Sequence, residues 1–253
     1  MKGLVLLILC ASLLFVGITT SQSFASSGYS HVLEWGKFGT SDPGQFNHPQ
    51  QIAVDDERNI YVTDTGNSKI QKFTHEGEFL SSWGTNGVED GDLQSPVGIV
   101  IYENNVYVVD EKLHTVQKFD SDGNFILKWG GIGSEDGQFN MPKGITIDSN
   151  GIVYVADSKN YRVQLFTSDG EFLSTFGTYG FTDGKLKGPV DVAVSGDFIY
   201  VSDPVNYKIE KYALDGTFLK SIDYRFGGHG IKPGGLTADP DGNIYFVDSI
   251  NYR

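Results

Sequence analysis

Five prolines, Pro49, Pro96, Pro142, Pro189 and Pro233, fall 47, 46, 47 and 44 residues apart, and each opens a near-copy of one unit. Asp64, Asp110, Asp157, Asp203 and Asp248 keep step with them. In the first copy, residues 52–55, 59–64, 69–73 and 79–84 read as four short strands, rich in β-branched and aromatic residues and bounded by turn formers. One four-stranded sheet cannot cover both its faces, so strand repeats of this length stack on one another as the blades of a propeller. An all-β ring follows, and helical bundles and wound α/β sheets are excluded.

The blades are expected at residues 50–84, 97–130, 143–177 and 190–222, with a partial blade at 234–253. Gly77, Gly123, Gly170 and Gly216 stand between third and fourth strands, where a hairpin needs a positive φ. Second strands repeat a tyrosine (Tyr61, Tyr107, Tyr154, Tyr200, Tyr245) and third strands an aromatic (Phe73, Phe119, Phe166, Tyr212). Successive side chains face opposite sides of a sheet, so these rings are expected to fill the space between blades. Residues 31–36 resemble residues 79–84 and 125–130, the ends of two blades. A fourth strand placed before any first strand suits closure of the last blade by the N-terminal end, which removes free sheet edges. The fifth unit stops at Arg253, leaving about four and a half blades, and open edges would allow self-association.

Met1-Lys2, an apolar run over residues 4–18 and a polar stretch ending at Ala25 have the arrangement of a signal peptide spanning residues 1–25, followed by a Ser/Gly lead-in at 26–30. The expected location is extracytoplasmic, secreted or in the cell envelope, with membrane attachment only if the leader stays uncleaved. Leu9 before Cys10 is too bulky for a lipoprotein cleavage site. Cys10 is the one cysteine, so the mature chain carries no disulfide and depends on packing. A net charge of −13 without basic clusters argues against nucleic acid, whose binding needs phosphates neutralised.

The order Pro, Ile-Ala-Val-Asp, Asn-Ile-Tyr-Val-x-Asp, x-x-Asn-x-Lys-Ile-Gln-Lys-Phe, Gly-x-Phe-Leu and Trp-Gly resembles the NHL repeat, and it covers essentially everything after the leader. The resemblance implies a six-bladed propeller closed by an N-terminal strand, here truncated; closure with five blades is the alternative. It also implies interaction platforms, receptor sensor domains, RNA binders or, in the amidating lyases, a channel metal held by histidines. Their histidine set has no counterpart at equivalent positions here.

Two recurring groups share one rim, where second-to-third turns and interblade links emerge. The first is Asp-x-x-Asn-x-Lys/Arg: Asp64 with Asn67 and Lys69, Asp157 with Asn160, Tyr161 and Arg162, Asp203 with Asn206, Tyr207 and Lys208, and Asp248 with Asn251, Tyr252 and Arg253. Blade two departs, with Asp110, Leu113 and Thr115. Asp and Asn at these places also suit plain turn chemistry, with the basic residue pairing with a carboxylate next door. Tyr beside Arg or Lys suits recognition, so Asn160, Tyr161, Arg162, Asn206, Tyr207, Lys208, Asn67 and Lys69 are the candidate binding residues. The second group is the acidic links, around Asp42, Glu89-Asp90-Gly91-Asp92, Glu135-Asp136 and Asp183. They could ring Ca²⁺, which takes six to eight oxygens, or serve as Asp-Gly turns. His31, His48, His75, His114 and His229 occupy different repeat phases, and Zn²⁺ needs converging ligands. No catalytic residue is assigned and no cofactor is expected, with Ca²⁺ or Zn²⁺ the alternatives. The expected function is an exported scaffold for a protein, peptide or extracellular polymer. The rivals are a metal-dependent lyase or hydrolase working in the central channel, and a gene fragment without function.

Overall fold

A computed structural model describes residues 33–40, 42–224, 232–239 and 242–248. The leader, the lead-in, His31, Val32, His229 and residues 249–253 lie outside the described residues. The fold is an all-β propeller. Four four-stranded antiparallel sheets follow one another: β3–β6 (Pro49–Val54, Ile60–Asp64, Lys69–Phe73, Phe79–Trp83), β7–β10 (Pro96–Tyr102, Asn105–Asp110, Thr115–Asp120, Phe125–Gly130), β11–β14 (Pro142–Ile147, Val153–Asp157, Arg162–Phe166, Phe172–Phe176) and β15–β18 (Asp191–Ser195, Phe198–Asp203, Lys208–Ala213, Phe218–Asp223). A fifth unit contributes β19 (Pro233–Ala238) and β20 (Ile244–Asp248). Before the first blade, β1 (Lys37–Phe38) pairs in parallel with β2 (Gln45–Phe46) within one link. Isolated parallel bridges at Asn86 to Leu93, Ile132 to Phe139 and Tyr179 to Leu186 repeat that pairing in the next three links.

In four of the five units the opening proline pairs with the aspartate that ends the second strand, and the register slips just after it. Proline has no N–H for the ladder, so it takes the first position of its strand, beside a bulge. The first strands β3, β7, β11, β15 and β19 are innermost neighbours and touch in that order. At Gly98 a β-carbon would lie 2.3 Å from the Lys143 carbonyl, so the approach of blade two to blade three requires glycine.

The core lies between blades. Tyr61, Tyr107, Tyr154 and Tyr200 are buried, as are Phe73, Phe119, Phe166 and Tyr212. Each such ring removed from water stabilises the stack by roughly 1.5–3 kcal/mol. The fourth-strand aromatic of one blade leans on the next blade: Trp83 on Phe119, Trp129 on Phe166, Phe176 on Tyr212. Each also covers the hairpin glycine of that next blade, Gly123, Gly170 or Gly216.

Trp35 makes the same contacts with Phe73, at 4.5 Å between ring centroids, and with Gly77. Residues 33–36 nonetheless form no strand, contrary to the expectation for residues 31–36. A strand needs a neighbour to satisfy its ladder, and none lies beside residues 33–36 among the described residues. The packing of the closing segment is therefore present without its hydrogen bonding.

Candidate binding face

The rim groups interlock. Asp157 is fully buried and accepts from the Asn140 amide (2.8 Å), Asn160 Nδ2 (2.9 Å), Arg162 Nε (2.8 Å) and Gln164 Nε2 (3.1 Å). Asn160 also donates to the Gly133 carbonyl, and Arg162 Nη2 donates to the carbonyls of Glu135 and Gln138, each at 2.9 Å. These carbonyls belong to the preceding link, so the Asp-x-x-Asn turn and its cation fasten that link to the blade.

Blade four repeats the device. Asp203 accepts from the Lys187 amide and Asn206, Asn206 donates to the Gly180 carbonyl, and Lys208 Nζ meets Asp183 at 2.6 Å. The Lys208 side chain is 1% exposed. In blade one, Asn67 donates to Gly39 and Asp64, while Lys69 is half-buried and sits opposite Asp64 in the ladder. In blade two, Leu113 has no side-chain donor, and Asp110 accepts the Lys112 and Leu113 amides instead.

Of the eight candidate binding residues, Asn67, Asn160, Arg162, Asn206 and Lys208 spend their polar groups inside the fold. Tyr161 and Tyr207 are half-buried and adopt φ of 59° and 58°. Left-handed backbone costs a non-glycine residue about 1–2 kcal/mol. The same position holds Ser68 and His114, and all four side chains reach toward the next link: Ser68 to the Gln94 carbonyl, His114 Nδ1 to the Met141 amide, Tyr161 to Tyr179 at 4.8 Å, and Tyr207 to Lys232.

The link carboxylates are similarly engaged. Asp90 pairs with Lys128 (2.7 Å), Asp136 lies 3.8 Å from Arg162, and Asp183 pairs with Lys208. The Lys208 ammonium and its hydrogen bond hold the Asp183 carboxyl below the usual range, and hydrogen bonds led by Thr85 do the same for Asp92. Among the described residues no three His, Cys, Asp or Glu converge as metal ligands.

Third-strand amides brace the links from within. Gln71, Gln117 and Gln164 accept from Gly44, Gly91 and Gly137, each at 3.0 Å. They donate to the carbonyls of Gln45, Asp92 and Gln138 at 2.6–2.7 Å. Blade four places Glu210 there. Its Oε2 receives Ser221 and, at 3.5 Å, the Gly184 amide, while buried Oε1 has no hydrogen-bond donor; burial raises its pKa.

The first strands line a cavity of about 460 Å³. On its wall Lys143 pairs with Glu111 at 2.7 Å. Asp191 is buried with a pKa pushed up to about 7, and its oxygens accept from Val192 (2.9 Å) and Leu236 (2.8 Å). Gln51 makes the corresponding blade-to-blade bond to Ile99, so Asp191 straps blade four to blade five.

Beside their exposed carboxylates, the braced links present apolar side chains to solvent. Phe38 and Ile132 are 72% exposed, Val88 63%, and Tyr179 and Phe181 54% each. All flank an equivalent link glycine: Gly39, Gly87, Gly133 or Gly180. The rim motifs do not include them, although apolar residues inside Gly- and Asp-rich links are a signal that sequence alone carries.

The NHL repeat model matches residues 46–73 and 139–166, a link through the third strand in blades one and three. A 68-residue stretch is 37% identical to the Brain tumor protein of Drosophila melanogaster, covering 27% of this chain and 6% of that protein. A catalytically inactive virginiamycin B lyase from Staphylococcus aureus with quinupristin matches with a TM-score of 0.61 and 16% identity, over 80% of this chain and 64% of that one. A chain of a nidogen/laminin complex matches at 0.57 and 18%, over 78% of this chain and 69% of that one. The chain thus spans under two thirds of that lyase and a small fraction of Brain tumor, and at such structural identities the likeness is one of fold. Two of its link-and-blade units thus match the NHL repeat, in a chain whose sheets stack as the blades of a β-propeller.

Proposed function

We propose that this chain is an exported propeller that binds a protein partner through the rim formed by its links and second-to-third turns. One observation carries the reading: four successive links, each braced from within, present at least one apolar side chain to solvent beside the link glycine, on one side of it or the other. Exposed apolar patches on a rigid frame mark interaction sites, and a preformed surface loses little ordering entropy on binding. The polar rim residues build this face and leave recognition to the apolar side chains. Protein partners accord with the fold shared with a chain of a nidogen/laminin complex. The leader supports export, which protein sequencing of secreted material checks by finding Ser26 at the N-terminus.

The test of the face is chemical crosslinking of the purified chain in native secreted material. Crosslinks from lysines on the rim, such as Lys37, Lys112 and Lys159, to one recurring protein support it. Crosslinks confined to the outer strands, or none, overturn it.

A further inference from the structure

The repeats supply an internal control for what a link requires of its side chains. In the first three links the residues flanking the glycine are Phe38 and Thr40, Asn86 and Val88, and Ile132 and Ser134. Each pair is one apolar and one polar residue. The link between blades three and four carries two aromatics, Tyr179 and Phe181. Further along, Gln45, Asp92 and Gln138 are matched by Lys185, and Asn47, Gln94 and Asn140 by Lys187.

The backbone is nevertheless the same. The amides of Asn47, Gln94, Asn140 and Lys187 each donate to the aspartate that ends the second strand. Gly39, Gly133 and Gly180 each donate to the carbonyl of the link's anchor, Phe46, Phe139 or Leu186. The side chains of Gln45, Asp92 and Gln138 accept from their own link, at Asp42, Glu89 and Glu135. Lys185 cannot accept; its chain lies over Gly180 and its Nζ reaches Thr178 Oγ1 at 2.6 Å. The backbone bonds of the link are thus made without the side chains of Tyr179, Phe181 and Lys187, and Lys185 adds one hydrogen bond of its own.

Together they form one surface. Tyr161 meets Tyr179, whose ring centroid is 5.8 Å from Phe181, and Lys187 Nζ sits 4.0 Å above the Phe181 ring. Val205, 47% exposed, lies against Gly188 beside Lys187. Among the described residues neither Lys185 nor Lys187 forms an ion pair, in a chain of net charge −13. Resting on the protein-binding reading above, we infer that this sector seats an acidic peptide segment of the partner, with an apolar or aromatic anchor flanked by carboxylates. Aromatic rings take the anchor, and the two ammonium groups complement the acids. A sugar chain suits the sector less, because the amides and guanidinium that could read hydroxyl groups, on Asn160, Arg162 and Asn206, are consumed within the fold.

A random dodecapeptide display library panned against the whole chain tests this. The wild-type chain should enrich peptides bearing an aromatic or aliphatic residue flanked by Asp or Glu. Tyr179→Ile, Phe181→Ser, Lys185→Gln and Lys187→Asn together install the side chains of the preceding link. That variant should melt with the wild type and bind the enriched peptides at least tenfold more weakly. Lys185→Glu with Lys187→Glu should turn the selection toward Lys and Arg. No enrichment, or enrichment without acidic bias, overturns the inference. Equal binding by the transplanted link overturns it too, while leaving the wider face to the crosslinking test. Retention of alginate, a polyuronate, by the wild type alone and without peptide enrichment would give the sector to a polysaccharide instead.

Discussion

Arg162 shows how a rim residue becomes a strut. Its side chain is 11% exposed, and its guanidinium holds buried Asp157 and donates to two carbonyls of the link. Removing one partner of a buried pair leaves the other charge without compensation, which typically costs 3–5 kcal/mol. Arg162→Ala is therefore expected to lower stability by about 3 kcal/mol in urea unfolding; a change within error would refute the strut. Glu210 offers the reverse case, because three sibling blades use glutamine in its place and its Oε1 lacks a donor. It faces Lys208 at 3.7 Å, Ser221 and, through Lys208, Asp183. Its folded pKa is raised, so stability is lost as pH climbs past the ordinary glutamate range and the buried acid ionises. Glu210→Gln restores a donor toward the link and removes the ionising group. The variant should have a higher urea midpoint than wild type at pH 8, with the gap closing near pH 4, and equal midpoints at both would sink this account.

The unit of construction is the contact between one blade's last strand and the next blade's hairpin. At Gly123, φ is 89° and a β-carbon would come within 2.5 Å of the Trp83 ring. Gly123→Ala thus combines strained backbone with displaced indole, and should destabilise by more than the roughly 1 kcal/mol that such a change gains where the backbone tolerates it. Thermal melts followed by tryptophan fluorescence check this. The hairpin glycines and the core rings were legible in the sequence, since strand alternation and a fixed period dictate both. Turn and carboxylate bonding at Asn160, Arg162 and Lys208 was open to the sequence, but their fastening of the preceding link was not, because the link groups they bind lie some 25 residues upstream and their direction depends on how the link folds back. Blade two shows that the side chain is dispensable: where Leu113 stands for asparagine the link persists, held by Asp110 through backbone amides. Residues 33–36 form no strand for another reason. Pattern reports which residues can pair, whereas a ladder exists only where a neighbour runs beside it.

At the scale of the whole molecule, each blade is joined to the next by packing and by a few straps near the central cavity, and one strap is a buried carboxyl. Asp191 bonds blade four to blade five through the Leu236 amide with no cation beside it among the described residues, and burial lifts its pKa to about 7. An unfolded aspartate titrates near 3.9. Between those values the folded chain holds a proton that the unfolded chain has released, so stability is highest at the acid end of the window and declines as pH rises to about 7. Asp203 and Glu210, also raised by burial, add to the same slope. Protonation also relieves the self-repulsion of a strongly acidic chain, which separates the global effect from the local one only if a variant is compared. Asp191→Asn keeps a carbonyl oxygen to receive Leu236 and abolishes the titration. The wild type should lose stability from pH 5 to pH 7.5 more steeply than Asp191→Asn, measured as urea midpoints across that range at constant ionic strength. Parallel profiles for the two proteins would mean that the slope belongs to the net charge and that the strap between blades four and five is ionised throughout.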